Sequence, residues 1–219
     1  MDLRFCRNIR DMGIKLLCFN NNGAENQRPS NLCKTLQHLL RILQSGVTEK
    51  GLQTAIANLT MLNHLDHLGL FDIMLELTNR RWESSAAKFP YFNFVHLSIN
   101  TIIPYERGSL GKVIQFCPSL TSIQIDFIDG LTNADLSSLM SLKYLTKWFL
   151  TAKFDSKKCI TFKDGVVPLL TKFGHSLIYL AISCCGSVDI WTILRLCPYL
   201  TFLRIPIRFD KETVLSTSE

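Results

Sequence analysis

The chain is short of charge, has no long hydrophobic run and lacks the compact motifs that mark most catalytic sites. Asp, Glu, Lys and Arg make up 19% of its 219 residues, against 47% hydrophobic. That much apolar surface excludes a disordered segment, which cannot bury enough to offset chain entropy. No window approaches the ~18 consecutive apolar residues of a spanning helix, so no membrane partner is expected. Met1 runs into Asp2, Arg4 and Arg7 without an apolar leader, which predicts a cytoplasmic or nuclear chain rather than an exported one. Eight cysteines are present, yet no two stand as C-x-x-C. Without an export signal they read as reduced thiols.

Catalytic motifs are missing as well. Gly108-Ser109-Leu110-Gly111-Lys112 lacks the length and the following hydroxyl of a phosphate-cradling loop. Gly174-His175-Ser176 puts a histidine beside a serine, but without a G-x-S-x-G elbow or an orienting acid. Catalysis needs nucleophile, base and orienter placed together, so we expect no enzyme, no catalytic residue and no cofactor. The net charge of +6 is spread thinly, its densest runs being Arg80-Arg81 and Lys157-Lys158. Nucleic-acid binders gather cations on one stripe, so RNA binding ranks last among the functional readings.

What the sequence does contain is a repeat. Cys117-Pro118-Ser119-Leu120-Thr121-Ser122-Ile123-Gln124-Ile125 and Cys197-Pro198-Tyr199-Leu200-Thr201-Phe202-Leu203-Arg204-Ile205 share the pattern C-P-x-L-T-x-[IL]-x-I. The same L-x-x-L frame recurs at Leu36/Leu39, Leu62/Leu65, Phe94/Leu97, Leu142/Leu145 and Leu177/Leu180, with an eighth copy starting mid-frame at Met1 and running through Leu3, Cys6 and Ile9. Each L-x-x-L-x-L stretch makes a short strand whose alternate side chains point inward. The return segments carry helical signals: Leu52, Ile56 and Leu59 make a stripe, Thr132 to Asp135 resembles a capping box, and Asp189 to Leu196 stops at Cys197-Pro198. Cys33, Cys117 and Cys197 each precede the first leucine of their frame by three residues, a place for a buried apolar thiol.

This spacing predicts an α/β leucine-rich-repeat solenoid of about eight short parallel strands with helical or irregular returns. It would occupy residues 1–209, with insertions near 20–30, 70–92 (holding an extra helix) and 151–164, and a polar tail at 210–219.

Met1-Asp2-Leu3-Arg4-Phe5-Cys6-Arg7-Asn8-Ile9-Arg10-Asp11-Met12-Gly13-Ile14 resembles the cysteine-containing repeat L-x-L-x-x-C-x-x-I-T-D-x-G-L of F-box/leucine-rich-repeat proteins. Val47-Thr48-Glu49-Lys50-Gly51-Leu52 is similar to its second half. The resemblance implies a non-enzymatic module, the substrate-recognition repeat region of an SCF-type ubiquitin ligase receptor. The alternative is a regulatory or structural repeat scaffold without a ligase link. The chain itself carries no F-box, so an adaptor of the Skp type is implied only where an F-box lies upstream. Met1 begins inside a repeat, which predicts either a fragment of a longer product or an exposed first strand.

The residues flanking the second leucine of each frame point out of the concave sheet. They form one column of His38, His64, His96, Ser122, Tyr144, Tyr179 and Phe202, and a second of Leu40, Asp66, Ser98, Gln124, Thr146, Ala181 and Arg204. Trp148 falls on the same face. An aromatic strip of Tyr144, Tyr179 and Phe202 with Trp148 alongside suits recognition of a protein partner, since aromatics dominate interface hot spots. His38, His64 and His96 on neighbouring strands could converge on zinc, but no carboxylate accompanies them, and no metal is expected. His64 and His67 would face opposite ways. Arg41, His67 and Lys147 stand where a third inward leucine is expected.

Overall fold

The structure, a computed structural model, describes residues 9–20, 28–39, 46–65, 67, 69–83, 91–100, 104–126, 128–151, 160–183, 185 and 187–205. Helix α1 (Asp11–Cys18) leads into an antiparallel pair, β1 (Phe19–Asn20) with β2 (Arg28–Pro29), where a plain loop was expected. From there strands and helices alternate: β3 (His38–Leu39), α2 (Glu49–Asn58), β4 (His64–Leu65), α3 (Leu70–Glu83), β5 (His96–Ile99), α4 (Ser109–Ile114), β6 (Ser122–Asp126), α5 (Asn133–Ser137), β7 (Lys147–Thr151), α6 (Val167–Phe173), β8 (Tyr179–Ile182), α7 (Ile190–Leu196) and β9 (Phe202–Arg204). β3 pairs with β4, and β5 to β9 form one five-stranded sheet, all parallel and in chain order. Among the described residues no helix is long and apolar enough to cross a membrane.

One hydrogen-bond pattern repeats from strand to strand. The carbonyl of Gln37 accepts from Asn63 and His64, that of Val95 from Thr121 and Ser122, that of Thr121 from Thr146 and Lys147, and that of Thr146 from Ile178 and Tyr179. Ile178 accepts from Thr201 and Phe202 in the same way, and the Val95 N–H donates to Asn63 at 2.9 Å, carrying the pattern from β4 to β5. Each strand is thereby anchored at the same point of its neighbour. Parallel strands joined in order need a crossover each time. Crossovers of one hand place the returning helices on one face of the sheet, where α2 packs on α3, α3 on α4, and α4 on α5.

That face holds the core. Leu97, Ile123, Trp148, Leu180 and Leu203 stand opposite one another across β5 to β9, and Leu39 stands opposite Leu65. A second row, Ile99, Ile125, Leu150 and Ile182, runs beside it, buried throughout. Cys18, Cys33, Cys117, Cys185 and Cys197 are buried, and burial pushes the thiols of Cys18 and Cys197 up to about 11.

The inner row differs from expectation at one strand. Leu145 was expected in it, but Trp148 takes that place, and Leu145 is buried just before β7. The reason is a frame overlap. Leu145-Thr146-Lys147-Trp148-Phe149-Leu150 matches Leu120-Thr121-Ser122-Ile123-Gln124-Ile125, whereas Leu142 stands where other repeats carry Cys117 or Cys197. Lys147 consequently lies in the exposed column rather than replacing an inward leucine. His67 also lies off the inward row: it follows β4, and its Nδ1 accepts from the Gly69 N–H at 3.0 Å. The helix expected in the 70–92 insertion is α3, which takes its turn in the helix layer between α2 and α4 instead of standing outside it.

Neighbouring return segments are clasped by polar groups, through exposed hydrogen bonds at Asp11 and a buried carboxylate at Asp135. Asp11 accepts from the Thr48 N–H at 2.7 Å and from its hydroxyl at 2.6 Å. Asp135 closes the capping box with Thr132 and also accepts from Tyr105 Oη at 2.9 Å and the Gly108 N–H at 2.7 Å. Burial pulls the Asp135 pKa upward, but the bonds from Thr132, Gly108 and Tyr105 outweigh it and hold the carboxyl below its ordinary 3.8. Burial, together with Asp135, pushes the Tyr105 hydroxyl well above its ordinary value. Of the remaining sequence expectations, the frame at Met1 to Asn8, Leu40, Arg41, Asp66, the stretch 152–159 and the tail at 210–219 lie outside the described residues.

Candidate protein-recognition face

Among the described residues the helices pack on one side of the sheet. The other side presents two columns, read from the strand register. The first is His38 and His64, then His96, Ser122, Lys147, Tyr179 and Phe202. The second, over the five-stranded sheet, is Ser98, Gln124, Phe149, Ala181 and Arg204. Alternation along a strand puts each of these residues opposite its buried neighbour, as the exposed–buried sequence of β7 shows.

The two ends of the first column differ in chemistry. At one end the imidazoles form a ladder: His38 and His64 lie 5.9 Å apart between ring centroids and His64 and His96 lie 5.3 Å apart, the latter nearly parallel at 15°. His96 Nδ1 is 2.8 Å from Ser122 Oγ. Among the described residues no group of three or more His, Cys, Asp or Glu could hold a metal ion.

At the other end the rings are carbocyclic. Phe149 and Tyr179 are 4.5 Å apart between centroids, and Tyr179 and Phe202 stack at 3.9 Å with planes only 10° apart. Lys147 stands in register beside Tyr179, and Arg204 beside Ala181. Both side chains are exposed, and among the described residues neither cationic group makes a hydrogen bond or ion pair. Asp126, on the same face of β6, is engaged: it accepts from Thr151 Oγ1 at 2.5 Å and from Gln124 Nε2.

Two of the expected aromatic residues are elsewhere. Trp148 is 0% exposed and faces the helices, because the strand begins at Lys147 and reverses the facing of every residue relative to the earlier frame. Tyr144 is 66% exposed but sits in the turn before β7, the position Tyr199 holds before β9. Tyr179, Phe202, Arg204, His38, His64 and His96 are on the face as expected. Phe149, in the place assigned to Thr146, was missed. The shared Leu-Thr dipeptide at 120–121, 145–146 and 200–201 was the signal that would have found it. Ser176 has a structural place, its hydroxyl donating to the carbonyls of Leu145 at 2.8 Å and Phe173 at 2.9 Å.

Compared with known proteins, the chain matches no family model and no curated protein.

Proposed function

We propose that the chain is a leucine-rich-repeat solenoid without catalytic activity, and that it recognises another protein on the uncovered face of its sheet. The observation that carries this reading is the ring stack of Phe149, Tyr179 and Phe202, flanked by Lys147 and Arg204, on a face that the returning helices leave open. Contiguous aromatic surface outside a core marks interaction sites. The repeat reading is supported by strands paired in chain order and by the same carbonyl anchor at each of them. A stack of such units, each lying against the next, gives a long, continuous recognition surface.

The test is proximity labelling in cells with the wild-type chain beside a Phe149→Ala/Tyr179→Ala/Phe202→Ala variant of verified fold. Loss of a defined subset of labelled proteins is expected, and identical lists would overturn the reading. The more specific proposal, a substrate receptor of an SCF-type ubiquitin ligase, rests on the resemblance at residues 1–14 and 47–52. The geometry in its favour is that Thr48 and Gly51 of that motif meet Asp11 of the preceding copy. Co-purification of a Skp-type adaptor with the full gene product is the expected result. Its absence would leave a regulatory or structural scaffold.

A further inference from the structure

Resting on that reading, we infer that the occupant of this face is an acidic, extended peptide segment carrying apolar side chains, held across β7 to β9. The chemistry of the patch points one way. The Tyr179 ring is flanked from the two neighbouring strands, by Phe149 tilted at 32° and by Phe202 stacked at 10°. What such a stack turns outward is ring edges, which carry the positive rim of the aromatic quadrupole. Lys147 and Arg204 add full positive charges without a partner among the described residues, and outnumber the carboxylate of Asp126, which is hydrogen-bonded by Thr151 and Gln124. The surface is therefore apolar and positive at once. A cationic or neutral polar segment would leave those charges uncompensated.

The register sets the spacing. Lys147 on β7 and Arg204 on β9 are two strands and one column apart, about 12 Å between Cα atoms from the standard strand spacings. Carboxylates four residues apart on an extended chain span nearly the same distance. Ala181, the smallest residue of its column, stands in register between Phe149 and Arg204 and is itself buried, so the apolar contact offered between the two cations is the ring stack.

A single-stranded nucleic acid shares the appetite for rings and cations, but it binds by stacking bases on open ring faces. Here the central ring is flanked by a ring on each neighbouring strand. Nor do two cations make the line of phosphate contacts that such binding uses.

The experiment is fluorescence anisotropy on the full chain with a labelled random copolymer of Glu and Tyr. Poly-Glu, a Lys–Tyr copolymer and oligo-dT serve as competitors. The Glu–Tyr copolymer is expected to bind and to outcompete the other three. Lys147→Glu/Arg204→Glu is expected to weaken it about ten-fold or more, as does loss of charge complementarity at an interface. Lys34→Glu/Lys163→Glu, an equal charge change at exposed lysines off this face, should alter binding less than about two-fold. Lys147→Gln/Arg204→Gln, which removes the charges without reversing them, should fall between. Equal losses in the two Glu variants would reduce the effect to bulk charge and overturn the proposal, and tighter binding of oligo-dT would overturn it in favour of nucleic acid. If the copolymer fails to bind while the ring-stack variant still loses its labelled partners, the acidic class is wrong and recognition on this face stands. If those partners are unaffected as well, both fall.

Discussion

The side-chain amide of Asn133 brackets Thr161: its Oδ1 accepts from the Thr161 N–H at 3.0 Å, and its Nδ2 donates to Thr161 Oγ1 at 3.1 Å. Asp11 brackets Thr48 likewise near the other end of the chain, accepting from both its N–H and its hydroxyl. In each case a glycine follows within the next turn and the clasping oxygen occupies the space a Cβ would fill. It lies 2.4 Å away at Gly165 and 2.3 Å away at Gly51. Gly51 comes three residues after Thr48, but Gly165 comes four after Thr161. The π-helical turn Phe162–Val166 absorbs the extra residue and brings Gly165 back under Asn133.

Gly165→Ala is therefore expected to destabilise the fold by about 1–3 kcal/mol, the usual cost of overpacking. The opposite sign holds for a helical glycine in open space, where alanine stabilises by up to ~1 kcal/mol. Urea unfolding of Gly165→Ala alone and with Asn133→Ala tests the cause. The double variant should lose less than the sum of the two single ones, because removing the amide removes the clash.

Asp135 gives the fold an acid-sensitive clasp. Its folded pKa lies below the ordinary 3.8, so its stabilisation is complete above that value and fades as pH falls through the lower, folded one. Asp135→Asn, which loses the charge and part of the acceptor capacity, is expected to cost about 1–3 kcal/mol at neutral pH. The gap between wild type and variant should narrow below pH 3.8. A constant gap across denaturation curves taken down that range would show that the carboxylate's charge contributes nothing.

Trp148 and Trp191 make opposite predictions. Trp148 is 0% exposed and fills the inner row, whereas Trp191 on α7 is 81% exposed. Trp148→Ala should cost about 3–5 kcal/mol, the range for emptying such a site. Among the described residues its Nε1 has no acceptor, so Trp148→Phe forfeits volume but no hydrogen bond and should cost clearly less. Trp191→Ala should be near neutral, and iodide should quench Trp191 while sparing Trp148.

The ring stack predicts a hierarchy on the open face. Tyr179 touches two rings, Phe149 and Phe202 one each. A double-mutant cycle on Tyr179 and Phe202 should return a coupling of about 0.5–1.5 kcal/mol in stability, the worth of a good aromatic pair. The same cycle on Tyr144 and Tyr179 should return none. Coupling between Tyr144 and Tyr179 would mean that β7 is paired in the earlier frame.

The buried thiols should be slow. With the thiols of Cys18 and Cys197 pushed up to about 11 by burial, almost no thiolate exists at neutral pH. Iodoacetamide labelling read by mass spectrometry should leave both unmodified in the folded chain and modify both after denaturation. Rapid native labelling of either would contradict their packing.

Much of this was legible without coordinates, for a local reason. The side-chain period of a strand is two, so an L-x-x-L-x-L frame separates inward from outward residues by itself, as at Leu39, Leu65, Leu97, Ile123, Leu180 and Leu203. Capping is local too, and the Thr132–Asp135 box formed where the spacing placed it. Cysteines locked to the frame became buried thiols at Cys33, Cys117 and Cys197.

The stretch from Leu142 to Leu150 was different. Two apolar frames overlap there, three residues apart, and either one alone makes an acceptable strand. Only pairing with β6 and β8 selects between them, since Ile123 and Leu180 must face the same layer as their neighbour and Trp148 satisfies both. That choice buried the tryptophan and brought Lys147 and Phe149 to the open side. An odd shift reverses every side chain on a strand, and register belongs to the partners as much as to the strand itself.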